Sequence, residues 1–156
     1  KQAKHKIINK KKLKLISTNV SENDDFFNIK FDLIIAIQSL YYLSDKDMKK
    51  RLKSFSNMLN DNGHVFFTMM GTKSSYFKHT NKIKNKNGLT KYILKDERLN
   101  NDKSKKNLTH YINFTKNQND LKTKIKYFKP LEIGYYDCCY NFKESGYHYT
   151  YFGKKI

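Results

Sequence analysis

The stretch "FDLIIAIQSL", residues 31–40, places six apolar residues in its first seven positions and then ends on Gln38 and Ser39 before Leu40. A continuous apolar run of this kind, unlike an alternating one, is what a parallel strand covered on both faces requires. The next segment, "SDKDMKKRLKSFSNMLNDNG", predicts a helix. Ser44 is its N-cap with Asp47 three residues on, and Met48, Leu52, Phe55 and Leu59 are spaced for one buried face. The helix is expected to stop at Asn62 and Gly63, where "HVFFTMMG" begins a second apolar strand. Residues 31–70 therefore predict a strand, helix, strand unit, which implies parallel strands and a right-handed connection.

On the amino-terminal side, "LKLIST" (13–18) reads as a short strand and "NVSENDDFFN" as a loop anchored by Phe26 and Phe27. On the other side, residues 72–107 dissolve into lysine, asparagine and serine around one apolar island, "LTKYIL". This segment predicts an insertion containing a ragged hairpin, and it reads equally as a surface loop or as a lid. "LTHYINFT" predicts a strand. "TKNQNDLKTKIKYFKP" predicts a helix with Thr115 and Gln118 as capping box, Leu121, Ile125 and Phe128 on one face, and Pro130 as its stop. The last stretch, "LEIGYYDCCYNFKESGYHYTYFGKK", predicts two antiparallel strands that turn near Glu144 to Gly146. One domain over residues 1–156 accounts for all of this, with no internal repeat.

The charge is +18, from 32 basic against 14 acidic residues. That surplus alone would suggest nucleic acid or an anionic surface. Its composition argues otherwise, because Arg51 and Arg98 are the only arginines and bidentate recognition of phosphate and guanine leans on arginine. Diffuse lysine on solvated positions is the simpler reading, although "KQAKHKIINKKKLK" at the start is dense enough to serve as a basic patch. Cys138 and Cys139 are adjacent and make no disulfide framework, so reduced thiols and a cytoplasmic location are expected. No apolar run approaches the roughly 20 residues of a membrane span, so no membrane partner is expected.

The order of these segments resembles a class I S-adenosylmethionine-dependent methyltransferase, from about Leu13 to Lys155. "FDLIIAIQSLYYLSD" is similar to that family's fourth strand and the motif after it, "MLNDNGHVFFTMMG" to its fifth strand, and the closing hairpin to its last two strands. The resemblance implies an α/β fold, a Rossmann-like doubly wound, mostly parallel sheet with an antiparallel terminal strand. It implies S-adenosylmethionine as cofactor and a ligand site beyond the carboxyl ends of the strands. It places Ile37, Gln38 and Ser39 on that rim, the first two beside the donor's methionine part and transferable methyl. It also places Asn19 and Val20 at the adenine, where Asn19 stands in for the family's usual acid. The family's glycine-rich turn is missing, since Gly63, Gly71, Gly88, Gly134, Gly146 and Gly153 form no G-x-G. A fold incomplete at its amino terminus is therefore expected, and a chain that binds the donor poorly by itself.

Methyl transfer from a sulfonium is an in-line displacement in which the protein mainly aligns donor and acceptor, so no catalytic dyad is required and none is read here. Tyr41, Tyr42, His110 and Tyr111 are the candidates to face an acceptor. His64 reads as structural, Asp24, Asp25, Asp45 and Asp47 as loop and capping residues rather than metal ligands, and "YHYTYFGKK" as a buried final strand. The leading expectation is methylation of a small molecule. An RNA acceptor, or a noncatalytic basic binding module, is the alternative that the net charge leaves open.

Overall fold

The computed structural model describes residues 29–85, 87–94, 108–140 and 144–156. The expected strand at 13–18, Asn19, Val20, Asp24, Asp25 and the anchors Phe26 and Phe27 lie outside the described residues.

Among the described residues the chain runs β1 (Phe31–Ala36), a 3-10 turn (Leu40–Tyr42), α1 (Asp45–Met58), β2 (Leu59–Met70) and α2 (Ser75–Lys78). It continues through β3 (Thr80–Lys84), β4 (Thr90–Leu94), β5 (Leu108–Ile112), α3 (Gln118–Lys124), β6 (Phe128–Tyr140) and β7 (Glu144–Lys155). This is a mixed α/β architecture. Four strands form a sheet in the order β1-β2-β7-β6, and β3-β4-β5 form a second, smaller one. β1 and β2 are parallel, as the strand, helix, strand reading requires, with Ile34 opposite Val65 and Ala36 opposite Phe67. β7 is antiparallel to both β2 and β6.

One core holds these elements together. Val65, Phe67 and Met69 project from β2 onto the face where Leu52 of α1 and Leu121 of α3 are also buried, in one cluster with Tyr151 and Phe128. Phe67 is fully buried and its ring lies 5.7 Å from Phe128, 5.9 Å from Phe55 and 6.3 Å from Tyr151. Each such side chain contributes about 1.5–3 kcal/mol by leaving water. Ser44 caps α1 as expected, its hydroxyl accepting the Asp47 N–H at 3.1 Å.

Five expectations are corrected. The apolar run of β1 is not covered on both faces: Ala36 is buried, but Leu33 and Ile35 are 47% and 57% exposed. α1 and α3 feed the core cluster on the Ala36 side, and the alternation of a strand puts Leu33 and Ile35 on the other. α1 ends at Met58, not at Asn62 and Gly63, because Leu59 already pairs with Phe31 and the exposed Asn60 to Asn62 form an irregularity inside β2. The cap of α3 is Asn117, whose Oδ1 accepts the Asp120 N–H at 2.9 Å, rather than Thr115 with Gln118. Thr115 is committed elsewhere, since its N–H donates to the Met70 carbonyl at 2.8 Å and its own carbonyl accepts from Thr72. Phe128 and Pro130 belong to β6, an edge strand that tolerates a residue without an N–H, so Pro130 does not stop the helix. Finally, Tyr140 already pairs with Glu144, so Glu144 to Gly146 belong to β7 rather than to a turn.

The expected hairpin in the 72–107 segment is present as β3 and β4, antiparallel, and β5 extends it to three strands. Asn85 organises its turn by accepting the N–H groups of Asn87 and Leu89 on its side chain. Main-chain bonds tie the continuation of β5 to the main sheet: Asn113 N–H to the Tyr41 carbonyl at 2.7 Å, and a parallel bridge from Thr115 to Gly71. The smaller sheet is thereby held over the carboxyl ends of β1 and β2.

Candidate functional site

The rim beyond β1 is where the resemblance placed it in the chain, and its backbone is unusual. Gln38 has φ of +50°, a left-handed conformation that a side chain bearing a Cβ rarely adopts and that costs about 1–3 kcal/mol. It is held there from two sides. Its N–H donates to Thr68 Oγ1 at 2.7 Å, and its Nε2 donates to Tyr136 Oη at 3.3 Å. The kink ends β1 and directs the chain into the 3-10 turn, which buries Leu40 and Tyr41.

A cavity of about 220 Å³ opens beside Gln38. Tyr41 and Tyr42 wall it from the 3-10 turn, and Met70 and His148 from β2 and β7. Tyr76, Tyr92, His110 and Ile112 close it from α2 and the smaller sheet. Four tyrosine rings therefore surround it. In a chain with 32 lysines and arginines, none of these residues, nor any acid, lines it among the described residues. Burial raises the Tyr41 phenol above its ordinary value, with Tyr42 adding to the effect, and burial raises Tyr92 in the same direction. Both phenols stay protonated through the physiological range and act as neutral hydrogen-bonding groups.

His148 is the most constrained polar side chain of the cavity. It is 3% exposed, lies flat on Tyr136 with ring centres 5.0 Å apart and a 6° angle, and meets Tyr41 at 5.6 Å. Its Nδ1 is 2.6 Å from the Gly146 carbonyl. A carbonyl only accepts, so Nδ1 carries the hydrogen and Nε2 is left with a lone pair. Nε2 is buried and has no partner among the described residues. Burial lowers the pKa of His148 below the ordinary 6.5, while the Gly146 bond and the Asp137 charge pull weakly the other way. The ring is therefore neutral at pH 7.

Of the residues singled out in the sequence, the fold brings Gln38, Tyr41, Tyr42 and His110 to one cavity, from three separate elements. Ile37 is 56% exposed and Ser39 is exposed, both just beyond β1 and outside the cavity wall. Tyr111 is 47% exposed and lies on the opposite face of β5 from His110. His64 stacks on Phe152 at 5.4 Å and 9°, a packing role. Asp47 works in the α1 cap and Asp45 accepts from Asn113 Nδ2 at 2.7 Å. Sequence reasoning missed His148, Tyr76 and Tyr92. For His148 a signal existed: in "YHYTYFG" it falls on the strand face opposite Tyr147, Tyr149 and Tyr151, a titratable ring in a strand expected to be buried.

The same fold occurs in solved methyltransferase structures. An S-adenosylmethionine-dependent methyltransferase from Clostridium acetobutylicum aligns over 92% of this chain and 65% of its own length, with TM-score 0.56 and 22% identity. One from Methanosarcina mazei aligns over 86% of this chain and 65% of its own, with TM-score 0.60 and 11% identity. A methyltransferase from Streptomyces caelestis covers 89% and 62%, with TM-score 0.56 and 9% identity. No family model matches the chain. No curated protein matches it either. The fold is that of the class I S-adenosylmethionine-dependent methyltransferases, and the chain spans less than two thirds of the length of the first two structures, 65% in each case.

Proposed function

We propose that this chain serves a methyltransferase that takes a methyl group from S-adenosylmethionine and transfers it to a small-molecule acceptor by in-line displacement. One observation carries the reading: in a sheet ordered β1-β2-β7-β6 with β7 antiparallel, the carboxyl ends of parallel β1 and β2 open at Gln38 onto a cavity with no charged residue among its described lining. Ligands of open α/β sheets bind beyond those strand ends. The residues present fit the donor. Ile37 offers an exposed apolar surface at the strand end, and the constrained Gln38 and the neighbouring Ser39 offer polar groups beside it. Asn19 and Val20 are proposed for the adenine.

The donor supplies an electrophilic methyl on a sulfonium, so the chain's own residues need only hold and align. The kink at Gln38 brings the strand end against the cavity, and the tyrosine rings flank an acceptor seated there. The absence of lysine and arginine from the described lining favours a small acceptor over RNA, whose phosphates would need cations at the site. The 72–107 segment contributes Tyr76 and Tyr92 and is proposed to shape the acceptor pocket. The test is calorimetric titration of the complete polypeptide that contains this chain with S-adenosylhomocysteine. Saturable binding that Gln38→Ala weakens is expected; no binding, together with steeply salt-dependent RNA binding, would replace this reading with the nucleic-acid one.

A further inference from the structure

Gln38 is the only residue other than glycine with a positive φ among the described residues. Left to itself, a residue bearing a Cβ abandons that conformation for the extended or right-handed regions, a preference of about 5-fold or more. The left-handed backbone at the end of β1 therefore needs support from outside the turn.

The register shows where that support comes from. The β1–β2 pairing ends at Ala36 and Phe67. The next residue of β2, Thr68, takes the Gln38 N–H on its side chain instead, its Oγ1 accepting at 2.7 Å. Thr68 is 2% exposed and sits opposite Thr150 of β7, so the hydroxyl is anchored inside the sheet on a β-branched side chain with restricted rotation. The second support comes from further across. Tyr136 of β6 accepts from Gln38 Nε2 at 3.3 Å, while its ring lies flat on His148. Backbone and side chain of one residue are thus tied to two strands, β2 and β6, that have β7 between them. Neither bond belongs to the main-chain ladders, which join β2 to β7 from His64 to Met70 and β6 to β7 from Phe128 to Tyr140. What the two bonds fix is the direction in which the chain leaves β1.

We propose that Thr68 and Tyr136 are positioning residues of the donor site, setting the left-handed backbone of Gln38 before the donor arrives. The brace stands on the geometry of the chain itself, whereas its service to the donor rests on the methyltransferase reading above. The gain is one of population. When only a fraction of the molecules hold the competent backbone, the apparent dissociation constant rises by the inverse of that fraction. Losing the Thr68 acceptor removes the bond that offsets the left-handed preference, which corresponds to about 5- to 10-fold weaker binding. Tyr136 is partly exposed and its bond is longer, so losing its hydroxyl corresponds to about 2-fold.

The test uses the complete polypeptide that contains this chain, with two readings. Backbone carbon chemical shifts of Gln38, recorded without donor, report whether the left-handed conformation is present. Calorimetric titration with S-adenosylhomocysteine gives the dissociation constant of the folded protein. Thr68→Val keeps the branched shape and removes the acceptor. It is expected to move the Gln38 shifts away from left-handed values and to weaken binding about 5- to 10-fold at unchanged stoichiometry. Thr68→Ser keeps the hydroxyl and should bring both readings back to within about 2-fold of the wild type. A role in packing alone would lower the melting temperature of Thr68→Val and leave the dissociation constant of the folded fraction where it was. In a Gln38→Gly background, where a positive φ carries no penalty, the effect of Thr68→Val should shrink to about 2-fold. If Thr68→Val fails to fold, Tyr136→Phe decides, since it keeps the ring on His148 and should still weaken binding about 2-fold. Unchanged Gln38 shifts, or unchanged affinity in a protein whose wild type binds S-adenosylhomocysteine, would overturn this proposal alone. A wild type with left-handed Gln38 shifts that binds no S-adenosylhomocysteine overturns the methyltransferase reading, and the donor role with it, while the brace stands.

Discussion

Two parts of the four-stranded sheet carry the same small motif, a histidine lying flat on an aromatic ring, in opposite surroundings. His64 on β2 stacks on Phe152 and stays partly exposed; His148 on β7 stacks on Tyr136 and is 3% exposed. What differs is the cover. The Asn113 to Tyr41 and Thr115 to Gly71 links hold the smaller sheet over the second pair, and the first has no equivalent link among the described residues. A stacked ring pair contributes about 0.5–1.5 kcal/mol wherever it sits. Only where water is excluded does a bare imidazole nitrogen lose the hydrogen bond that solvent would otherwise give it. Desolvation, rather than residue type or stacking, separates a site from a packing contact.

The comparison breaks most completely if the framework common to both regions is removed. Phe67→Ala empties the contact among Phe55, Phe128 and Tyr151 and is expected to cost about 3–5 kcal/mol in denaturant unfolding. Next in size is the kink that opens the covered region. Gln38→Val forces a β-branched residue into a left-handed backbone and should cost about 1–2 kcal/mol, whereas Gln38→Asn, which tolerates that conformation, should be nearly neutral in the same melts.

A third change sharpens the comparison through pH. Burial depresses the His148 pKa below 6.5, so below that pH the unfolded chain binds the proton and the native ring resists it. Stability is therefore complete above pH 6.5 and falls as pH drops toward the depressed native value, by at most about 1.4 kcal/mol per pH unit for one proton. His148→Asn should flatten that slope in urea unfolding between roughly pH 7.5 and pH 5. The smallest effect belongs to the partly exposed pair: His64→Leu should change stability by less than about 1 kcal/mol in the same urea unfolding.

Much of the frame was legible in order. The Ser44 and Asp47 cap, the parallel pairing of residues 31–36 with the second apolar run, and the closing antiparallel hairpin all follow from signals a few residues long. Boundaries were less legible, since Leu59 and Thr115 left their expected roles when distant strands claimed their backbone bonds. For the candidate site, Gln38, Tyr41 and Tyr42 drew notice beside a strand end and His110 within the strand after the insertion, while Tyr76 and Tyr92 lay in what read as an insertion and His148 in what read as a buried final strand.

The sequence by itself determined the order of the main strands and helices and that two of the strands run parallel, because caps and apolar periodicity act over a few residues. Only the tertiary structure decided which face of β1 is buried, which histidine is dry, and that residues as far apart as Gln38 and His148 share one cavity. Burial depends on every neighbour in space, and those neighbours are supplied by strand order rather than by adjacency along the chain.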